Sequence, residues 1–292
     1  MNPLTFGGSW TDDKLARVRR YLEAYMSILS KYPALVPTYV DAFAGTGYVD
    51  HASGSQSDQL PIIDFGVSGT ELLEGSAALA LGIKQPFARY VFIERSRKRA
   101  AELKELKSRF EALRDRIHIA SEDANTYLQD WCANEDWSLR RAVVFLDPYG
   151  MQVEWNTVEC LAKTGCVDLW YLFPLSAVNR LLTRDGKPRE NWARTLTRIF
   201  GTPLWEAAFY PKRETATLFG PVTTRTKDAD FESIASFVKS RLGSVFPRVA
   251  PNARVLRNEK NSPLFLLCFA TASRKASTQK AALNIAEYVL NM

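Results

Sequence analysis

Histidine is nearly absent from this chain, with only His51 and His118 among 292 residues. A serine or cysteine hydrolase needs a base beside its nucleophile, and two scattered imidazoles offer little support for one. Cysteine is equally sparse. Cys132, Cys160, Cys166 and Cys268 form no CxxC pair, which argues against a structural zinc site and a disulfide framework, so no metal is expected. Clustered carboxylates able to hold two metals, as a nuclease would require, are not visible either. No apolar run reaches the roughly 18 residues that a bilayer-spanning helix needs. Met1 to Trp10 lacks the basic and then apolar layout of a signal peptide, so no membrane partner is expected and a cytoplasmic location is the default.

What the chain does have is a well-mixed interior, 46% hydrophobic against 24% charged. That supports one large α/β domain or one domain carrying a substantial insertion. Charge is uneven: residues 1–179 carry a net −4, residues 180–260 a net +8, and the remainder +2. A basic segment set into a slightly acidic domain suits a surface facing nucleic acid, although a solvated basic face without a partner has the same composition.

Strand and helix signals alternate. After Trp10, acids at Asp12 and Asp13 precede a helical stripe of Leu15, Val18, Leu22, Tyr25, Met26 and Leu29. A first strand runs from Thr38 into Phe43, and a polar, glycine-rich stretch, Tyr48 to Thr70, reads as a loop. Leu72 to Leu81 reads as a helix. Tyr90 to Glu94 is the second strand, and Ser96 to Phe110 a helix with Ser96 as its N-cap. Arg116 to Ala120, Ala142 to Asp147 and Cys166 to Phe173 are further strands, separated by helices at Thr126–Ala133 and Glu154–Lys163. Strands apolar throughout and separated by helices predict a parallel sheet covered on both faces. Residues 1–175 thus form a Rossmann-like α/β core, and residues 176–250 a basic helical insertion with helices at Asn191–Phe200 and Phe231–Val245. Residues 251–292 return as a late hairpin, whose strand is antiparallel, and a helix over Thr278–Leu290. His118 is expected as a packed core residue, and Trp131, Trp137, Trp155 and Trp170 in the core or beside a cofactor; Trp192 and Trp205 are the tryptophans suited to stacking on a base.

The chemistry is expected at the carboxyl ends of the strands, where ligands bind open α/β sheets. Asp41-Ala-Phe43-Ala-Gly45-Thr-Gly47 places an acid and two glycines after the first strand. A dinucleotide is disfavoured because the third glycine of GxGxxG is missing. S-adenosylmethionine (SAM), which carries no phosphate, fits better. Asp41, Phe43, Gly45 and Gly47 would surround its amino acid tail, Glu94 would accept from its ribose, and Asp123 with Ala124 would meet its adenine. Asp147-Pro148-Tyr149-Gly150 ends the fourth strand where a methyl acceptor would sit. The Asp147 carboxylate and Pro148 carbonyl can accept from an exocyclic amine of a nucleobase, and Tyr149 can stack on the base. A cytosine C5 methyltransferase would need a cysteine after the proline, which is Tyr149 here.

These residues carry a resemblance. Trp10 with Lys14, Tyr21 to Tyr25, Tyr39 to Gly47, Glu74-Gly-Ser76, Phe92 to Glu94, Phe145 to Gly150 and Pro263 to Thr271 together resemble the three-Cys-motif partner family, across nearly the whole chain. The resemblance implies a class I SAM-methyltransferase-like sheet and association with a three-Cys-motif protein that itself resembles radical-SAM enzymes. It leaves open whether the chain is a methyltransferase or a weakly catalytic scaffold. The Asp-Pro-aromatic-Gly form is also similar to the motif of tRNA guanine-N2 methyltransferases, over four residues.

Overall fold

A computed structural model describes residues 9–45, 75–217 and 220–292. Helix α1 (Ser9–Leu29) precedes strand β1 (Val36–Asp41). After α2 (Ser76–Leu81) come β2 (Arg89–Ile93), α3 (Arg97–Leu103), α4 (Glu105–Arg109), β3 (Ile117–Ala120), α5 (Ala124–Asn134), β4 (Arg140–Leu146), α6 (Trp155–Lys163) and β5 (Val167–Phe173). Then follow α7 (Leu175–Leu181), α8 (Glu190–Phe200), α9 (Trp205–Phe209), a hairpin of β6 (Lys212–Thr217) and β7 (Gly220–Arg225), and α10 (Phe231–Gly243). The chain closes with β8 (Arg248–Val249), β9 (Arg254–Arg257), β10 (Pro263–Thr271) and α11 (Ala276–Leu290).

The large sheet runs β3-β2-β1-β4-β5-β10-β8, with β9 also pairing to β10. The pairs β3–β2, β2–β1, β1–β4 and β4–β5 are parallel, and β10 lies antiparallel to β5, β8 and β9. This is the mostly parallel Rossmann-like sheet with a late antiparallel hairpin strand that the sequence predicts. Because side chains alternate across a strand, β1 sends Val40 to one face and Tyr39 to the other. Val40, Val91, Val144 and Leu169 pack with α5, α6, α7, α8 and α10. Tyr39, Tyr90, Phe145 and Trp170 pack with α1, α2, α3 and α11. Continuously apolar strands follow from burial on both sides.

Four local readings differ from the structure, the first being that the insertion expected to be helical also carries the β6–β7 hairpin, whose polar strands pair only with each other. The helix expected over Ser96–Phe110 breaks at Lys104 into α3 and α4, although Ser96 does cap α3 by accepting from the Arg99 amide at 3.4 Å. The first strand ends at Asp41 rather than Phe43: the Ala42 amide bonds to Phe145 and the Ala44 amide to Ile93, so the chain turns off the sheet while knitted to both neighbours. His118 lies on β3 but is exposed, because it alternates outward at the sheet's edge.

The insertion packs on the same apolar core as the sheet. Leu196, Ile199 and Phe200 of α8, Trp205 and Phe209 of α9, and Ile234, Val238 and Leu242 of α10 join the cluster of Val144 and Leu169. Helix α1 is fixed by the buried Arg17, which donates to the Val289 carbonyl of α11 and, at 2.8 Å, to Asp13.

Candidate active site at the carboxyl edge of the sheet

The registers Asp41↔Phe92 and Asp41↔Phe145 bring the ends of β1, β2 and β4 level. Asp41 is 0% exposed. One carboxylate oxygen, Oδ1, accepts the Phe43 amide at 3.3 Å, while Oδ2 is buried with no hydrogen-bond partner among the described residues. Burial pushes the carboxyl up to about 7, and the neighbouring Asp147 adds to this; the Ser76 hydroxyl, the Phe43 amide and Lys14 pull the other way. A buried acid with an orphaned oxygen suits a cation brought by a ligand. Phe43 is half-buried against the core, and Gly45 turns the chain at φ +61, a conformation that favours glycine. Gly47 lies outside the described residues, as does the loop expected over residues 48–70.

Glu94 follows β2 and is buried. Its Oε1 accepts the Ser96 amide at 2.7 Å and Arg99 at 2.9 Å. Asp123 precedes α5 and caps it, Oδ1 accepting the amides of Asn125 at 2.9 Å and Thr126 at 3.3 Å, while Ala124 is buried beneath. In both acids the described contacts fall on one oxygen of the carboxylate.

At the end of β4, Pro148 is buried, whereas Tyr149 is 70% exposed. Asp147 is half-buried and is not free of partners: it forms an ion pair with Lys14 of α1. The structure therefore brings Asp41, Asp147 and Lys14 into one electrostatic neighbourhood, with Glu94 and Asp123 at the ends of the adjacent strands.

Two residues that contact these segments were not legible in the sequence. Lys14 lies 133 residues from Asp147, and its only sequence signal was its place beside Trp10. Asn125, one residue into α5 from Ala124, donates from Nδ2 to the Gln152 carbonyl at 2.9 Å and accepts at Oδ1 from the Glu154 amide at 2.9 Å and Thr157 at 3.0 Å. It ties the loop after Gly150 to the helix that Asp123 caps. Asn125→Ala removes three bonds at a buried position and is expected to cost roughly 2–3 kcal/mol of stability, read as a lower urea midpoint.

The tryptophan expectation is corrected. Trp205 is 0% exposed and donates to Thr197 at 3.0 Å, so it has no face to offer a base; its position on a short helix wedged against α8 and α10 explains why. Trp192 is half-buried beneath the Arg189 guanidinium, 5.0 Å from its ring centre. The basic segment is also partly turned inward. Arg198 donates to the Met151 carbonyl, Lys227 to Asn179, Arg241 to the Phe200 carbonyl, and Arg254 to Asp13.

Among the described residues, no group of three or more His, Cys, Asp or Glu side chains is placed to share a metal ion, and no helix is long and apolar enough to cross a membrane. Two open cavities lie elsewhere, one of about 290 Å³ between α10 and the β9–β10 hairpin and one of about 360 Å³ beside the amino ends of β1 to β4.

No family model matches the sequence, and no curated protein matches it. Solved structures do. A Legionella pneumophila protein of family DUF519 is 11% identical, covering 98% of this chain and 94% of its own, with a TM-score of 0.46. A Listeria monocytogenes structure described as a putative SAM-dependent methyltransferase is 10% identical over 85% of this chain and 97% of its own, with a TM-score of 0.38. Spermidine synthase from Thermotoga maritima is 10% identical over 92% of this chain and 61% of its own, with a TM-score of 0.41.

Proposed function

We propose that this chain is a SAM-dependent methyltransferase acting on an exocyclic amine of a nucleic-acid base, in association with a three-Cys-motif partner protein. The observation that carries the cofactor is Asp41, whose buried Oδ2 has no hydrogen-bond partner within bonding geometry among the described residues and whose carboxylate would receive the ammonium of the SAM tail. Glu94 and Asp123 follow in order at the ends of β2 and β3, each with its described contacts confined to one oxygen. When bound, SAM supplies a methyl group made electrophilic by its sulfonium. The chain's own residues do the rest. Asp147 and the Pro148 carbonyl accept from the N–H groups of the amine, which concentrates its lone pair for attack, and the exposed Tyr149 ring covers the base. No strong base is needed for such a transfer, in keeping with a site assembled from carboxylates and a lysine.

Calorimetric titration with SAM and its demethylated product tests the cofactor. Micromolar binding is expected, together with its loss in Gly47→Trp. Transfer is measured with tritiated SAM on pooled RNA and genomic DNA. Asp147→Ala is expected to abolish incorporation while leaving SAM affinity within about threefold, since its loss removes an interaction made by the acceptor. Equal loss of both would reassign Asp147 to folding.

One observation favours a second reading. Asp147 is already paired with Lys14, which a non-catalytic scaffold for the three-Cys-motif protein would tolerate. Co-purification of the two, with unchanged function in an Asp147→Ala strain, would decide for it.

A further inference from the structure

Lys14 is an unusual residue for this position. It is 5% exposed on α1, and its ammonium lies 5.5 Å from the ring centre of Trp10 and 5.7 Å from that of Phe145, paired with Asp147. Burying a lysine is costly unless a countercharge and hydrogen bonds compensate. The same ammonium acts on Asp41, as does Asp147, in opposite senses. Two carboxylates at the ends of neighbouring strands repel, and a cation beside them offsets that repulsion. Phe145 lies opposite Asp41 in the β1–β4 register and immediately precedes Leu146 and Asp147, so the lysine stands where the two strands release their acids. The anchoring of α1 through Arg17 holds it there.

We propose that Lys14 is the positioning residue of this site, holding one oxygen of Asp147 so that the other faces the acceptor and offsetting the repulsion between Asp147 and Asp41. The assignment of an acceptor to Asp147 rests on the methyltransferase reading above; the electrostatic bridge does not. Lys14 touches neither reacting atom. It acts through Asp147, whose Oδ2 it occupies, and through the charge state of Asp41. The groups around Asp41 are Asp147 just past β4, Lys14 on α1, Ser76 on α2 and Tyr39 on its own strand.

The test is carbon-13 NMR of aspartate carboxyl carbons in the full chain, with the Asp41 signal identified by its absence in Asp41→Asn. Its titration, near 7 in the wild type, is expected to move up in Lys14→Met and, by a larger step, down in Asp147→Asn, with Lys14→Arg close to the wild type. Absence of movement in Lys14→Met, or movement of Asp147→Asn upward, overturns the bridge; Lys14→Gln takes the place of Lys14→Met if that variant does not fold. In transfer assays with tritiated SAM and pooled RNA, Lys14→Met is expected to lower kcat at least about tenfold at pH 9 while SAM affinity stays within about twofold. Unchanged kcat overturns the positioning role. If the wild type binds no SAM, the methyltransferase reading fails, while the titrations still judge the bridge.

Discussion

Replacing Asp41 with Asn is expected to raise the stability of the folded chain by roughly 2–4 kcal/mol at pH 8 while removing its affinity for SAM. Asp41 is fully buried and its carboxyl is pushed up from 3.8 to about 7, chiefly by burial. The folded state therefore holds a proton that the unfolded chain releases between about pH 4 and 7. Stability falls as pH rises through that window, and above 7 the fold carries a buried anion. An amide of the same shape ends this dependence, and it keeps an oxygen that can accept from the Phe43 amide. The gain should shrink as pH is lowered from 7 towards 4, because the folded acid takes up its proton there while the unfolded one stays largely ionised. Asp168, raised to about 6 mainly by burial and paired with Tyr21 at 2.7 Å, bends the stability curve in the same sense. It does so in both proteins and cancels in the difference. Thermal melts of the two proteins at pH 4, 6 and 8 check the linkage. A variant that is less stable at pH 8 would mean that the buried acid contributes to the fold, not to a ligand.

That trade is the physical sense of a binding site: a group costly in the free fold is retained because a ligand completes it. In the wild type, affinity for SAM should rise between pH 6 and 8 as Asp41 ionises, and the slope should vanish in Asp41→Asn.

The carboxyl-edge acids were legible because strand ends are marked twice, by the apolar run before them and the turn chemistry after. Asp41, Glu94 and Asp147 each follow a run of β-branched and aromatic residues, Asp123 comes after Ser121 and Glu122 beyond the short strand Ile117–Ala120, and the structure puts all four at or just past the carboxyl ends of β1 to β4. What such reading lacks is any measure of contact at long range. Lys14 meets Asp147 only because α1 packs across the β1–β4 face, and nothing in either segment encodes that meeting. The hairpin Lys212–Thr217 with Gly220–Arg225 was hidden for a different reason. Its strands are polar and threonine-rich, and they make their own small sheet, so no apolar alternation announces them. Asp123 shows a third case. Its capping bonds to Asn125 and Thr126 are what any aspartate before a helix makes, and the same local signal serves cap and ligand alike.

Gly201→Ala is expected to cost the fold roughly 3–5 kcal/mol, a large part of the total stability of a typical domain. Gly201 ends α8 at φ +66, and a Cβ built there would lie 2.0 Å from Cδ1 and 2.2 Å from Cγ of Trp155. The left-handed backbone alone costs an alanine about 1–2 kcal/mol. The clash adds more, because Trp155 is buried at the start of α6 with Arg241 of α10 stacked 4.7 Å from its ring centre, while the same guanidinium bonds to the Phe200 carbonyl. The indole has nowhere to move without separating α6, α8 and α10. Gly45→Ala provides the contrast, since it shares the left-handed φ, +61, but meets no atom of the described residues within 4 Å. It should cost only the backbone term of about 1–2 kcal/mol. Equilibrium unfolding of both variants measures the difference. If Gly201→Ala unfolds in a separate early transition while the sheet persists, the helices of residues 176–250 form their own cooperative unit; a single transition shifted as a whole means that the insertion and the sheet share one core, as their common apolar cluster requires.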